Sequence, residues 1–181
     1  MRKVTILKNP NGDTRTAVGD VSFDKFCEAN SSHIEEVIEL MRDLANRIEF
    51  AGNNHDVTKL INDREFYKQF TEARAGQIDF VNSSWYQTHV RAERHHLNAH
   101  CPDDVTLIDV LEMIADNVAA GLARSGEVRP VEIPSDILQK AVANTTKMLE
   151  DTCELREMPK HPAPRPYNQY VRNRRGYGDE F

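Results

Sequence analysis

Imidazole and carboxylate side chains together are the usual ligands of a divalent metal ion, and this sequence concentrates both. The stretch from His89 to His100 holds His89, His95, His96 and His100, four of the chain's seven histidines. It leads through a short acidic loop into a helix-like segment in which Asp109, Glu112 and Asp116 recur at spacings of three and four, and so share one side. Asp116, set among Ile114, Ala115 and Val118, is the carboxylate most drawn inward, while Asp109 and Glu112 read as solvated or as orienting a ligand histidine. Upstream, His55 and Asp56 are adjacent, with Lys59 three residues beyond Asp56, and His33 stands at the start of a long amphipathic run. Each fragment alone reads well as a satisfied core histidine or a solvated charge. Taken in order, they read better as one metal centre.

The elements that must position these groups are mostly helical. Val4–Lys8, Asn11-Gly12 and Asp13–Ala17 predict a short N-terminal β-hairpin within residues 1–20, the Asn-Gly pair supplying the positive φ values of its turn. A short helix follows over Ser22–Asn30. Ser32 and Glu35 form a capping-box pattern, after which Ile34, Val37, Ile38, Met41, Leu44 and Ile48 keep helical spacing up to Gly52. The His55-Asp56 pair opens another helix. The polar stretch 62–77 reads as a mobile or partly helical connection, and Phe80, Trp85 and Tyr86 read as core aromatics ahead of the histidine run. A helix from Asp104 or Thr106 to about Ser125 stops at Gly126, and Ser135 caps a last one. The fold expected is therefore mostly α: a single domain over 1–157 with its metal-site core in 32–126, then an extended tail over 158–181 rich in Pro, Tyr and Arg.

Composition narrows the function classes. A net charge of -6 and a pI near 5.6 argue against a nucleic-acid or membrane surface. The tail alone is basic, with a local net of +3 from residue 158 onward. Three scattered cysteines without a C-x-x-C pattern suit a reducing compartment, and no apolar run resembles a signal peptide or a membrane span, so a cytoplasmic protein is expected. His100 beside Cys101 lacks the partner cysteines of a zinc site.

The order H, then H-D, then D on successive helices resembles the HD-domain superfamily of metal-dependent phosphohydrolases, over roughly Ser32 to Gly126. The resemblance implies that His33, His55, Asp56 and Asp116 are metal ligands and that Lys59 helps to hold a phosphate. His89 with His95-His96 is similar to the extra histidines of branches that hold two metals. One departure stands out: branches acting on nucleoside monophosphates carry a glutamate shortly after the H-D pair, where this chain has Lys59, so their catalytic acid does not carry over.

Such a site implies attack of a metal-activated water on a phosphoryl group, with Asp56 and Lys59 as the catalytic pair and Asp56 shared by two ions. Mixed imidazole and carboxylate ligation suits Mn, Fe, Co, Ni or Zn, and Mg is also compatible. Lys59, Arg91, Arg94 and Arg124 are the candidate contacts to an anionic small-molecule substrate, a nucleotide or another phosphate ester. Two rival readings remain open at this point. The histidine surplus also suits a di-iron oxygenase of a small molecule, and the same fold could serve as a non-catalytic nucleotide-binding or interaction protein. A homo-oligomer is compatible with all three.

Overall fold

The computed structural model describes residues 3–9 and 16–157. It is mostly α-helical, with one short strand pair. The elements in chain order are β1 (Val4–Lys8), α1 (Phe23–Asn53), α2 (Val57–Ile61), α3 (Asp63–Arg74), α4 (Ser84–Ala92), α5 (Leu107–Ser125), α6 (Ser135–Thr152) and β2 (Cys153–Glu157). The chain divides into two compact units: residues up to 43 together with those from 149 onward, and residues 44–148.

In the first unit β1 pairs in parallel with β2, from Val4 opposite Cys153 to Lys8 opposite Glu157. The expected hairpin is corrected to this extent: β1 forms, but its described partner comes from the far end of the chain. Residues 10–15, including the Asn11-Gly12 turn, lie outside the described residues, as does the tail from 158. The expected break before Ser32 is also absent. α1 runs unbroken for 31 residues, because its start is set further upstream, where Ser22 accepts from Lys25 N through Oγ (3.4 Å) and from Phe26 N through its carbonyl (3.0 Å). Ser32, buried within α1, donates instead to Glu36 Oε1 (3.2 Å), and the same oxygen accepts from Leu7 N in β1 (2.7 Å). A long-range contact thus takes a serine that local patterning assigns to a cap.

The second unit builds its core from Leu97, Val105, Val110 and Ala141, flanked by Leu107, Met113, Ile133 and Ile137. Thr145 of α6 accepts from the first backbone N–H of α5, Leu107 N, at 2.8 Å, which ties the two helices at an end where backbone donors lack helical partners. α5 ends at Gly126, whose φ of 74° suits a left-handed C-cap. Gly121 is required by packing: a Cβ there would lie 2.7 Å from the Glu127 carbonyl oxygen that folds back over the helix.

Of the two readings of 62–77, mobile or partly helical, the structure takes the helical one further, since most of the stretch is the regular helix α3. Its Phe66 and Phe70 pack with Phe80 and Trp85, Phe66 stacking on Trp85 at 4.1 Å and 17°. The Glu, Lys, Gln and Arg residues of this stretch are good helix formers, and packing of Phe66 on Trp85 and Phe80 adds to that local preference. Ser83 caps α4 by accepting from Tyr86 N (3.2 Å), and α4 carries Trp85 and His89 on its buried side.

Candidate metal centre

Asp56 organises the centre. It lies between α1 and α2 at φ 56°, the one left-handed non-glycine residue among those described. That conformation costs a residue with a Cβ on the order of 1 kcal/mol, and such strain gathers where a side chain must be aimed. The carboxylate is pointed so that its two oxygens face different neighbours. Oδ2 lies 3.3 Å from His55 Nε2 and accepts from Lys59 Nζ; Oδ1 lies 3.4 Å from His89 Nε2 and 3.7 Å from His95 Nε2.

The donor atoms of His55, Asp56 and His95, and those of Asp56, His89 and His96, form two groups each able to hold one ion, with Asp56 in both. Buried Asp56 Oδ1 and His95 Nε2 have no hydrogen-bond partner among the described residues. An orphaned buried oxygen and nitrogen cost stability unless something else occupies them. The nitrogen-to-oxygen separations of 3.3, 3.4 and 3.7 Å are close to the roughly 3.3–3.6 Å between N and O ligands about 2.0–2.2 Å from a tetrahedral ion, while His89 Nε2 and His96 Nε2, 2.9 Å apart, would have to spread to share one. Asp116 flanks the first group, its Oδ1 3.6 Å from His55 Nε2.

Each group has its own outer support, and the supports fix the ring tautomers. Glu112 Oε1 lies 3.0 Å from both His55 Nδ1 and His95 Nδ1; the first contact is a hydrogen bond, the second an ion-pair contact not aligned as one. An ionised carboxylate only accepts, so His55 carries its proton on Nδ1 and leaves Nε2 for the centre. In the second group Thr58 Oγ1 is 2.6 Å from Glu93 Oε1 and 2.7 Å from His89 Nδ1. Its single hydroxyl proton goes to the carboxylate, so Thr58 accepts from His89 Nδ1–H, and His89 Nε2 keeps its lone pair. His96 Nε2 lies 2.9 Å from that nitrogen, a spacing at which one ring shares a proton with the other until an ion takes both lone pairs. Trp85 holds the His89 ring by stacking at 4.8 Å and 13°.

The protonation tendencies of His89, His96, Asp56 and Glu112 agree with this arrangement, and that of His95 favours a proton that an ion would have to displace. Burial pushes His89 below the ordinary histidine range, and burial next to His95 and His89 brings His96 down to about 4, so both rings are neutral and able to ligate. Burial would raise Asp56 and Glu112, but Lys59 with His55 and His89 in the first case, and His95 with His55 in the second, outweigh it and hold both carboxyls ionised. Burial also opposes the charged form of His95, and the Glu112 carboxylate overcomes it.

The structure therefore brings together His55, Asp56, His89, His95, His96 and, at the edge, Asp116. His33 is in neither group; it is exposed in the first unit. Lys59 is engaged with Asp56 itself. Arg94, expected as a substrate contact, is engaged with two aspartates in the structure. Its Nε and one terminal nitrogen donate to Asp109 (2.7 and 3.0 Å), and it also reaches Asp104 Oδ1 and the Asp104 carbonyl (2.9 and 3.0 Å). Asp109, only 4 % exposed, is thereby neutralised rather than turned toward an ion, and it also accepts from Thr106 N and Oγ1. Arg91 and Arg124 are exposed near the ends of α4 and α5. Sequence patterning missed Thr58 and Glu93. The signal was present only in that Thr58 follows the His-Asp pair and Glu93 sits one turn beyond His89.

Beside the first group opens a cavity of about 310 Å³ between the last turns of α1 and one face of α5. Its walls are mainly Ile48, Ala51, Ile108, Leu111, Ala115 and Ala119, and its polar lining is His55, Glu112 and Asp116. No described helix is long and apolar enough to cross a membrane. No curated protein and no solved structure matches the chain. The model of one family, a family of unknown function (DUF5662), matches residues 23–162, which spans every element that builds the centre, and the chain belongs to that family.

Proposed function

We propose that this protein is a metal-dependent phosphohydrolase whose two ions share Asp56, acting on a small phosphate ester. The observation that carries the reading is the pair of donor groups with one carboxylate in common, since a carboxylate-bridged ion pair is the arrangement that clamps both the attacking and the leaving oxygen of an in-line displacement. His55, Asp56 and His95 would hold one ion with Asp116 beside them; Asp56, His89 and His96 would hold the other. Bound ions supply a water of lowered pKa and neutralise charge on a phosphoryl oxygen. Lys59, 37 % exposed and paired with Asp56, would turn from that carboxylate to an arriving phosphate. The ordered H-D and D residues keep their resemblance to the HD-type phosphohydrolases, while the ligand set proposed replaces His33 with the later histidines.

The test is metal analysis of protein purified without added metal, followed by assay of phosphate esters and nucleotides with Mn, Co or Mg, for the native chain and for Asp56→Asn. Two ions per chain and phosphate release lost in Asp56→Asn are expected; phosphate release that survives in the folded variant sinks the assignment. The second reading, a di-iron oxygenase, is favoured by one observation, the excess of imidazole over carboxylate in the donor groups beside an apolar cavity. Iron content with oxygen uptake and no phosphate release would select it.

A further inference from the structure

The cavity next to the first donor group says what kind of ester the centre meets. We infer that the substrate is an amphiphile, a phosphomonoester whose single anionic head reaches the ions and whose body is a short alkyl or aryl group rather than a nucleoside; this rests on the phosphohydrolase reading. Three features carry it. The polar lining is confined to His55, Glu112 and Asp116, which are contiguous: His55 Nδ1 is 3.0 Å from Glu112 and its Nε2 3.6 Å from Asp116. All three lie at or beside the ion centre, and Glu112 is already occupied by two imidazoles, which leaves Asp116 alone to meet a polar group of the substrate's body.

The remaining walls are aliphatic, and among the described residues no lysine or arginine lines the cavity to meet a ribose phosphate chain or a second phosphate. Small residues open the space. Ala51 and Gly52 on one side and Ala115 and Ala119 on the other leave room for a slender body, and a volume of about 310 Å³ lies at the low end of small-molecule sites. Finally, Ile48 and Leu111 are 44 % and 47 % exposed, so apolar surface at the cavity stands in water until something covers it. Continuity with the ion centre selects a ligand that has a head for the ions as well as an apolar body.

The experiment uses the full chain loaded with Mn²⁺ and titrated calorimetrically with n-alkylphosphonates from methyl to octyl, non-hydrolysable heads that differ only in apolar length, and with a nucleoside 5′-monophosphate. Affinity should rise about fourfold per added methylene until the cavity is filled, with the nucleotide no tighter than methylphosphonate. Ala119→Phe should weaken octylphosphonate about tenfold more than methylphosphonate, because the ring takes the volume of the chain. Manganese bound with a flat series, or with the nucleotide tightest, overturns the inference and leaves the metal reading standing. Failure to bind manganese, with no phosphonate bound at any length, overturns the metal reading and the inference with it. A flat series accompanied by a dimer that Leu111→Ser dissociates would assign the apolar walls to a second copy of the chain, and also overturns the inference.

Discussion

Replacing Thr58 by valine removes one hydroxyl and leaves the side-chain shape almost intact, which makes it a sharp test of a two-ion centre. That hydroxyl accepts from His89 Nδ1 at 2.7 Å and donates to Glu93 at 2.6 Å. Glu93 retains the backbone N–H of Thr58 at 2.8 Å, but His89, only 3 % exposed, is left with a buried N–H that nothing else described accepts. The tautomer that aims the Nε2 lone pair at the second ion is then no longer favoured. Loss of such an outer partner lowers metal affinity by about ten- to a hundredfold, or roughly 1.4–2.8 kcal/mol, and the orphaned N–H should lower fold stability by about 1–3 kcal/mol. Only the group containing His89 and His96 is affected, since His55 and His95 lean on Glu112 instead. In a Co²⁺ titration followed by calorimetry, the native chain should take two ions and Thr58→Val one tightly and one weakly, with Thr58→Ser restoring the second. Trp85, the chain's one tryptophan, stacks on His89 and should report the second ion by quenching. A valine variant that binds both ions with native affinity would refute the reasoning, because the hydroxyl would then not set the ring.

Glu112→Gln should show the complementary defect, weakening the first ion by about ten- to a hundredfold while Trp85 quenching by the second persists; equal losses of both ions would contradict separate supports. Asp56→Asn should bring the ion count to zero in elemental analysis, since both groups use that carboxylate. Arg94→Ala should leave Asp109 buried with only its Thr106 contacts, costing about 2 kcal/mol after discount for the half-exposed arginine, read from urea midpoints, with ion stoichiometry unchanged. Leu97→Ala, at a site 2 % exposed in the core of the second unit, should cost about 3 kcal/mol in the same assay.

The chain by itself determined the mostly helical class, the span and stop of α5, and the donor residue types, because helical periodicity, caps and residue chemistry are local properties. It also pointed to His55, Asp56, His89, His95, His96 and Asp116, which converge in one unit. What it did not contain was the destination of each polar side chain. Ser32 looks like a cap until Glu36 is seen joined to Leu7, a residue 29 positions earlier in the sequence. Arg94 looks free to hold an anion until Asp109 and Asp104 are seen to take it. Thr58 becomes part of the centre only through His89, 31 residues on, and Glu112 only through His55, 57 residues back. Polar partnership is decided by packing across the chain, and so is the left-handed turn that lets Asp56 serve two groups at once; both belong to the tertiary structure alone.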